Sequence, residues 1–335
     1  MEVDKSNLRS VILNSVSQVN APLTFFNELH LARRPFNKIL ICGMGGSALM
    51  GDFFSYFQDT GFAPLAPSIP IFTHRSYDLP GSTDQNTLVI CVSYSGQTEE
   101  TLSAFNKAKE SHFEVAGITG NGQLAELFQK YKTPWVKIPQ NNIPPRTSLG
   151  YQLAAMVKIL MAYGLLNSSA QSALASLPEK IIPMDFENQA RILCAKLNHK
   201  IPVIYSSQDN RVLAQLWKIC LNENAKIPAF YNFFPELNHN EMVGWTKDLG
   251  SFCLLFLRDQ NDLPRIKKRM TLTAELLQKQ HLSVESIEVA GRDALEKIFW
   301  ATAFGNWLSY HLALFYGIDP TPVEMVEELK KRLRE

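Results

Sequence analysis

Apolar residues along this chain come in short blocks separated by polar loops, and the blocks switch between two periods. Lys38-Ile39-Leu40-Ile41-Cys42, residues 87–92, residues 113–119 and Trp135-Val136-Lys137-Ile138-Pro139 are apolar runs of strand length. Ile69 to Thr73 is a shorter one. Runs this short, bounded by turn residues, predict strands buried on both faces. Between them the period lengthens. Leu49, Met50, Phe53, Phe54 and Phe57 make one wide helical stripe, and Leu102, Phe105 and Ala108 another. Strand, loop and helix in alternation predict the α/β class, with a mainly parallel sheet covered by helices. Right-handed crossovers then bring the strand C-terminal ends to one edge.

The second half repeats this grammar less cleanly. Ile201-Pro202-Val203-Ile204-Tyr205, residues 252–257 and residues 283–289 read as strands. Helices are predicted from Arg211 to Asn222, over residues 293–316 and from Val323 to the C-terminus. Residues 1–35 read as helical, with Val11, Ile12, Val16 and Val19 spaced for one buried face. A proline-broken segment at 141–150 leads into a long helix and marks a boundary. The expectation is two tandem units, 1–152 and 153–335.

Two strand-to-helix loops carry the chemistry. Gly43-Met44-Gly45-Gly46-Ser47-Ala48 follows the first strand with the spacing G-x-G-x-x-A, the dinucleotide fingerprint. An NADP-binding Rossmann oxidoreductase is therefore one reading, although the next strand ends in His74-Arg75 and not in a ribose-binding carboxylate. The second loop, Ser93-Tyr94-Ser95-Gly96-Gln97-Thr98, empties into a helix N-terminus. Backbone N–H groups and the positive end of the helix dipole favour an anion there. Ser93, Ser95 and Thr98 add three hydroxyls, and the loop contains no lysine or arginine, which suits a phosphate monoester held by many hydrogen bonds. The plainer reading makes Thr98 a simple N-cap, with Glu99 and Glu100 complementing the dipole.

Further along, each candidate also has an ordinary reading. Glu223, between Asn222 and Asn224 at a helix end, is either a general base or a solvated terminus. His239, within Pro235-Glu236-Leu237-Asn238-His239-Asn240-Glu241, suits acid–base work near neutral pH. The same segment has neither HExxH spacing nor a cysteine partner, so no metal is expected. Arg146, stiffly presented after two prolines, is an oxyanion or phosphate ligand or else a surface ion pair. Lys330 lies in a charged terminal helix, where solvent exposure is the default.

Composition narrows the classes. With 46% hydrophobic and 19% charged residues and a net charge of +1 over 335 residues, no global field favours nucleic acid or a membrane surface. Apolar runs are too short to span a bilayer. Five scattered cysteines without CxxC spacing read as core residues of a reduced cytoplasmic protein.

Taken together, GMGGSALMGD at 43–52, SYSGQTEET at 93–101, PPRTSLG at 144–150, NENAK at 222–226, ELNHNE at 236–241 and DPTPVEMVEELK at 319–330 resemble one family. The chain resembles bifunctional phosphoglucose/phosphomannose isomerases, which are built from two sugar-isomerase (SIS) domains. The resemblance implies aldose–ketose isomerisation of hexose 6-phosphates, a step of glycolysis and gluconeogenesis, through a cis-enediol and without cofactor or metal. Gly46 and Ser47 would line the sugar-phosphate site, and Ser93, Ser95 and Thr98 would hold the phosphate. Glu223 would be the base, and Arg146 would stabilise the enediolate. His239 and Lys330, or its neighbour Lys331, would open the ring, and space near Thr321 would bear on epimer choice. The family also implies a homodimer in which His239 reaches the neighbouring subunit's site. SIS domains occur in phosphosugar-sensing regulators too, and a non-catalytic sensor is the other reading. The joint presence of Glu223, Arg146 and His239 favours the enzyme.

Overall fold

Residues Thr87–Ser93 form a strand in which all seven side chains are buried, and one half of the molecule assembles around it. The computed structural model describes residues 3–27, 35–141, 143–247 and 250–333. Its contacts define two compact units. The first comprises Asn14–Ile181 with Asp293–Glu296, and the second comprises the residues through Leu13, Ile182–Arg292 and those from Lys297 onward.

In the first unit the strands are β1 (Thr24–Phe26), β2 (Lys38–Cys42), β3 (Ile71–His74), β4 (Thr87–Ser93), β5 (Glu114–Thr119) and β6 (Trp135–Lys137). Among the described residues they make one sheet in the order β1-β6-β5-β4-β2-β3. It is parallel throughout except for β1, which pairs antiparallel with β6. Strand alternation puts Leu40, Cys42, Val89 and Cys91 on one face, where they pack with Phe105, Phe128 and Trp135. The opposite faces of the same strands, at Ile39, Ile41, Leu88 and Ile90, are equally buried. Burial on both faces is why these strands read as unbroken apolar runs. The helix Leu49–Asp59 seats Phe53, Phe54 and Phe57 fully in the core, each contributing about 1.5–3 kcal/mol by burial.

The second unit holds β7 (Ile201–Ser207), β8 (Phe230–Phe234), β9 (Phe252–Arg258) and β10 (Ser283–Glu288). All pairs are parallel, in the order β10-β9-β7-β8. Trp217, on the helix Arg211–Glu223, stacks on Phe304 at 5.0 Å and donates its indole N–H to Ala301 O at 3.1 Å. That contact joins the helix to the long, apolar Ala294–Phe315.

The expectation of helix over residues 1–35 needs correction. The segment forms a short helix, Leu8–Leu13, a 3-10 turn, Ser17–Asn20, and β1; residues 28–34 lie outside the described residues. Asp4 supplies both carboxylate oxygens to the start of that helix, accepting from Leu8 N at 2.7 Å and Arg9 N at 3.0 Å. Arg9 then pairs with Glu187 at 2.9 Å and lies over the Trp307 ring, which explains why this N-terminal helix packs with the second unit.

Candidate active-site residues

The C-terminal ends of β2 and β4 are neighbours, because Cys42 stands opposite Cys91 in their parallel register. Both strands therefore deliver their loops to the same sheet edge, at Gly43–Ser47 and Ser93–Thr98. In the second loop Ser93 and Thr98 share a hydrogen bond of 2.9 Å between hydroxyls. Ser93 Oγ also accepts from Gly96 N at 3.1 Å, and Ser95 Oγ accepts from Gln97 N at 3.2 Å. Gly96 sits at φ +67°, and a Cβ there would come within 1.8 Å of Asn121 O, so only glycine closes this turn. The helix Glu99–Glu110 follows without a side-chain cap from Thr98. Thr98 does stand at the N-cap, with Glu99 and Glu100 in the first turn as the plainer sequence reading has it, but its hydroxyl makes no cap hydrogen bond and turns to Ser93, helping to line the loop. A hydroxyl-bordered helix start of this kind is suited to a phosphate.

Arg146 stands in the 3-10 turn Pro145–Thr147 and is buried. A Cβ on Gly46 would lie 3.2 Å from Arg146 Cα, so the first glycine loop and the arginine turn are in backbone contact. Ser47, in the same loop, is also buried. The turn is closed internally by Thr147 N and Thr147 Oγ1, which donate to Pro144 O at 2.9 and 2.8 Å. It is gripped from outside by two amides. Gln18 Nε2 donates to Thr147 O at 2.8 Å, while Gln152 Nε2 donates to Pro145 O at 3.3 Å and to Ser148 Oγ at 2.8 Å. Within the Ser93–Thr98 loop the Tyr94 hydroxyl is held mainly by burial well above its usual pKa, at about 12. Gly46, Ser47, Ser93, Ser95, Thr98 and Arg146 all belong to this first unit.

Glu223, His239 and Lys330 belong to the second. Glu223 ends the helix Arg211–Glu223 and borders a cleft of about 620 Å³. The far wall of the cleft is the segment running from Ile318 to Val326. Two neighbours fix the helix end. Asn224, fully buried, donates to Asn306 Oδ1 at 3.1 Å and Ser309 Oγ at 2.9 Å. Lys226, at φ +57°, donates to Glu223 O at 2.5 Å and to Pro320 O at 3.1 Å, holding the cleft wall against the helix end. Neither role was legible in the sequence, because each depends on partners more than 80 residues away.

His239 is exposed on the 3-10 turn Glu236–His239. That turn is anchored by the buried Leu237 and by Asn238 Nδ2, which donates to Thr273 Oγ1 at 2.9 Å. Glu241, just after it, accepts hydrogen bonds from Tyr205 and Asn232 and so serves the local fold. Lys330 is exposed on the helix Glu324–Arg332 and pairs with Glu327 at 2.7 Å. Neither His239 nor Lys330 lines the Glu223 cleft. The beginning of the Lys330 helix, Glu324 to Val326, does.

The strand ends of the second unit carry a different, carboxylate-centred network. Beyond β7 and β9, Asn210 Nδ2 donates to Asp259 Oδ2 at 3.0 Å and to Asp262 Oδ1 at 3.2 Å. Lys297 pairs with Asp259 at 2.5 Å, with both side chains buried. Asp262 is pushed above the ordinary carboxylate range, chiefly by burial. Carboxylates and a buried ion pair thus occupy these strand ends, where the first unit offers hydroxyls. Among the described residues no group of three His, Cys, Asp or Glu side chains is arranged to hold a metal ion, and no helix is long and apolar enough to cross a membrane.

Comparison with known proteins matches both halves. Residues 34–157 fit the SIS domain, and residues 186–333 fit the bacterial phospho-glucose isomerase C-terminal SIS domain. A bifunctional phosphoglucose/phosphomannose isomerase of Caldicellulosiruptor bescii is 36% identical over 92% of this chain and 93% of its own length. Another so named, from Thermoplasma volcanium, is 36% identical over 89% of this chain and 92% of its own. A solved structure of a glucose-6-phosphate isomerase like protein from Thermus thermophilus aligns with a TM-score of 0.63. At 16% identity, covering 98% of this chain and 95% of that one, it attests the fold alone.

Proposed function

The chain belongs to the family of bifunctional phosphoglucose/phosphomannose isomerases, and on that premise we propose that it interconverts glucose 6-phosphate and mannose 6-phosphate with fructose 6-phosphate. The observation that carries this reading is the agreement of near-full-length relatives so named with a hydroxyl-lined loop at a helix N-terminus. Such a loop anchors a phosphate far from the carbons that react, and binding energy there serves to position C1 and C2.

In this reading Glu223 moves a proton between C1 and C2. Its carboxylate takes the proton from one carbon as the cis-enediol forms and returns it to the other. The Arg146 guanidinium stabilises the negative charge that grows on the enediolate oxygen. His239 and Lys330 handle the protons of ring opening. Lys330 is supported in that role by the way its helix begins at the wall of the Glu223 cleft. The exposed and firmly anchored turn that bears His239 supports a homodimer in which this histidine serves the partner's site. Hybrid dimers, described below, test that assignment.

The phosphate anchor has its own test. Ser95→Ala removes one hydroxyl donor to a dianion, a charge-assisted hydrogen bond worth about 1.5–3 kcal/mol. KM for fructose 6-phosphate is expected to rise by about 10- to 100-fold with kcat little changed. Steady-state kinetics with an unaltered KM would take Ser95 out of the phosphate site.

A further inference from the structure

We propose that Gln18 and Gln152 are positioning residues for Arg146, an inference that rests on the isomerase reading above. The two amides grip the main chain on either side of the arginine. Gln152 Nε2 reaches Pro145 O, just before it, and Gln18 Nε2 reaches Thr147 O, just after it. Gln152 is fully buried one turn into the helix Leu149–Ala162, whose other buried residues are apolar or glycine. A buried amide in such a helix is costly unless it is bonded, so its place there calls for a purpose. Gln18 comes from a 3-10 turn 129 residues away in sequence and is likewise buried. Gly150 makes room for it, since a Cβ at that position would lie 2.7 Å from Gln18 Cβ.

The acceptors fix which end of each amide faces the turn. A carbonyl oxygen can receive a hydrogen bond only from the amide nitrogen, so both nitrogens point at the turn. Pro145 O also accepts from Ser148 N at 3.2 Å and Ser148 Oγ at 2.7 Å, so the Gln152 amide adds to a turn that is already closed and ties it to the helix behind. On a third side the turn meets the backbone of Gly46. A guanidinium that stabilises a developing oxyanion must hold its donors at about 2.7–3.1 Å, and a displacement of about 1 Å can cost on the order of 100-fold in rate. Two buried amides gripping the flanking carbonyls are a means of keeping that tolerance. Neither glutamine needs to touch the sugar to do so.

The test is a double-mutant cycle on the full-length protein, with fructose 6-phosphate kinetics and a thermal melt for each variant. Gln18→Met and Gln152→Met keep the side-chain volume and remove the donors. Each is expected to lower kcat by about 10- to 100-fold while KM stays within about two-fold. In an Arg146→Met background the same glutamine changes are expected to leave the residual kcat within about two-fold, because there is no guanidinium left to place. Equal losses with and without Arg146 would overturn the proposal, as would wild-type kcat in folded single variants. If Gln152→Met lacks a cooperative melt, Gln18→Met decides alone. An Arg146→Met enzyme with wild-type kcat would instead sink the charge-stabilising role of Arg146, and the proposal with it. That result is distinguishable from the others because it appears before any glutamine is changed.

Discussion

Glu223→Gln is expected to lower kcat for fructose 6-phosphate by about 100- to 10,000-fold, the range a positioned general base supplies. The replacement is isosteric, and the helix end is held by Asn224 and Lys226, not by the Glu223 carboxylate alone. Binding of a non-reacting sugar phosphate, followed by calorimetry, should therefore be nearly unchanged. Loss of turnover with retained binding is the signature of a group needed for proton transfer. A variant that keeps most of its activity would exclude Glu223 as the base.

The same variant tests the dimer. If each site combines Glu223 of one protomer with His239 of its partner, a hybrid of Glu223→Gln and His239→Ala subunits contains one intact site. An equal mixture allowed to exchange subunits should then recover about a quarter of wild-type activity, as two-fold symmetry requires. A mixture that forms hybrids and stays inactive would place His239 in its own subunit's site, and a His239→Ala enzyme that is active on its own would put His239 outside the chemistry.

The second large effect is expected at Arg146. Replacement by methionine should lower kcat by about 100- to 1,000-fold, as losing an oxyanion donor does, with a smaller change in KM. Burial of the side chain strengthens the expectation, since a guanidinium screened from water acts more strongly on nearby charge. Arg146→Lys should recover only part of the loss, because an ammonium lacks the planar, forked donors. A change confined to KM would reassign Arg146 to phosphate binding.

What could be read in the sequence was whatever is set locally. The strand and loop at Thr87–Thr98 were legible because apolar run, hydroxyl loop and helix stripe follow one another directly, and anion binding at a helix start needs nothing more distant. The glycine loop at 43–48 matched a dinucleotide fingerprint equally well on spacing. Its contact with the Arg146 turn, which crosses about 100 residues of sequence, is visible only in the fold. β1 was hidden because three residues pairing at a sheet edge give no period, and the apolar residues before it mimic a helical face. β8 gives no strand signal because it is an edge strand with only Phe234 buried, so no alternation appears. The glutamine grip and the Lys297–Asp259 pair escaped for a related reason. A single Gln or Lys in an apolar helix looks like an exposed position until the fold shows it buried and bonded.

Proton NMR of fructose 6-phosphate with the purified protein in D2O, with EDTA and no nucleotide, addresses the account most directly. Glucose 6-phosphate and mannose 6-phosphate are expected to appear together, each carrying deuterium at C2 from exchange at the enediol stage. An unchanged spectrum, with tight sugar-phosphate binding shown separately, would contradict the account and leave a sensor in place of an enzyme.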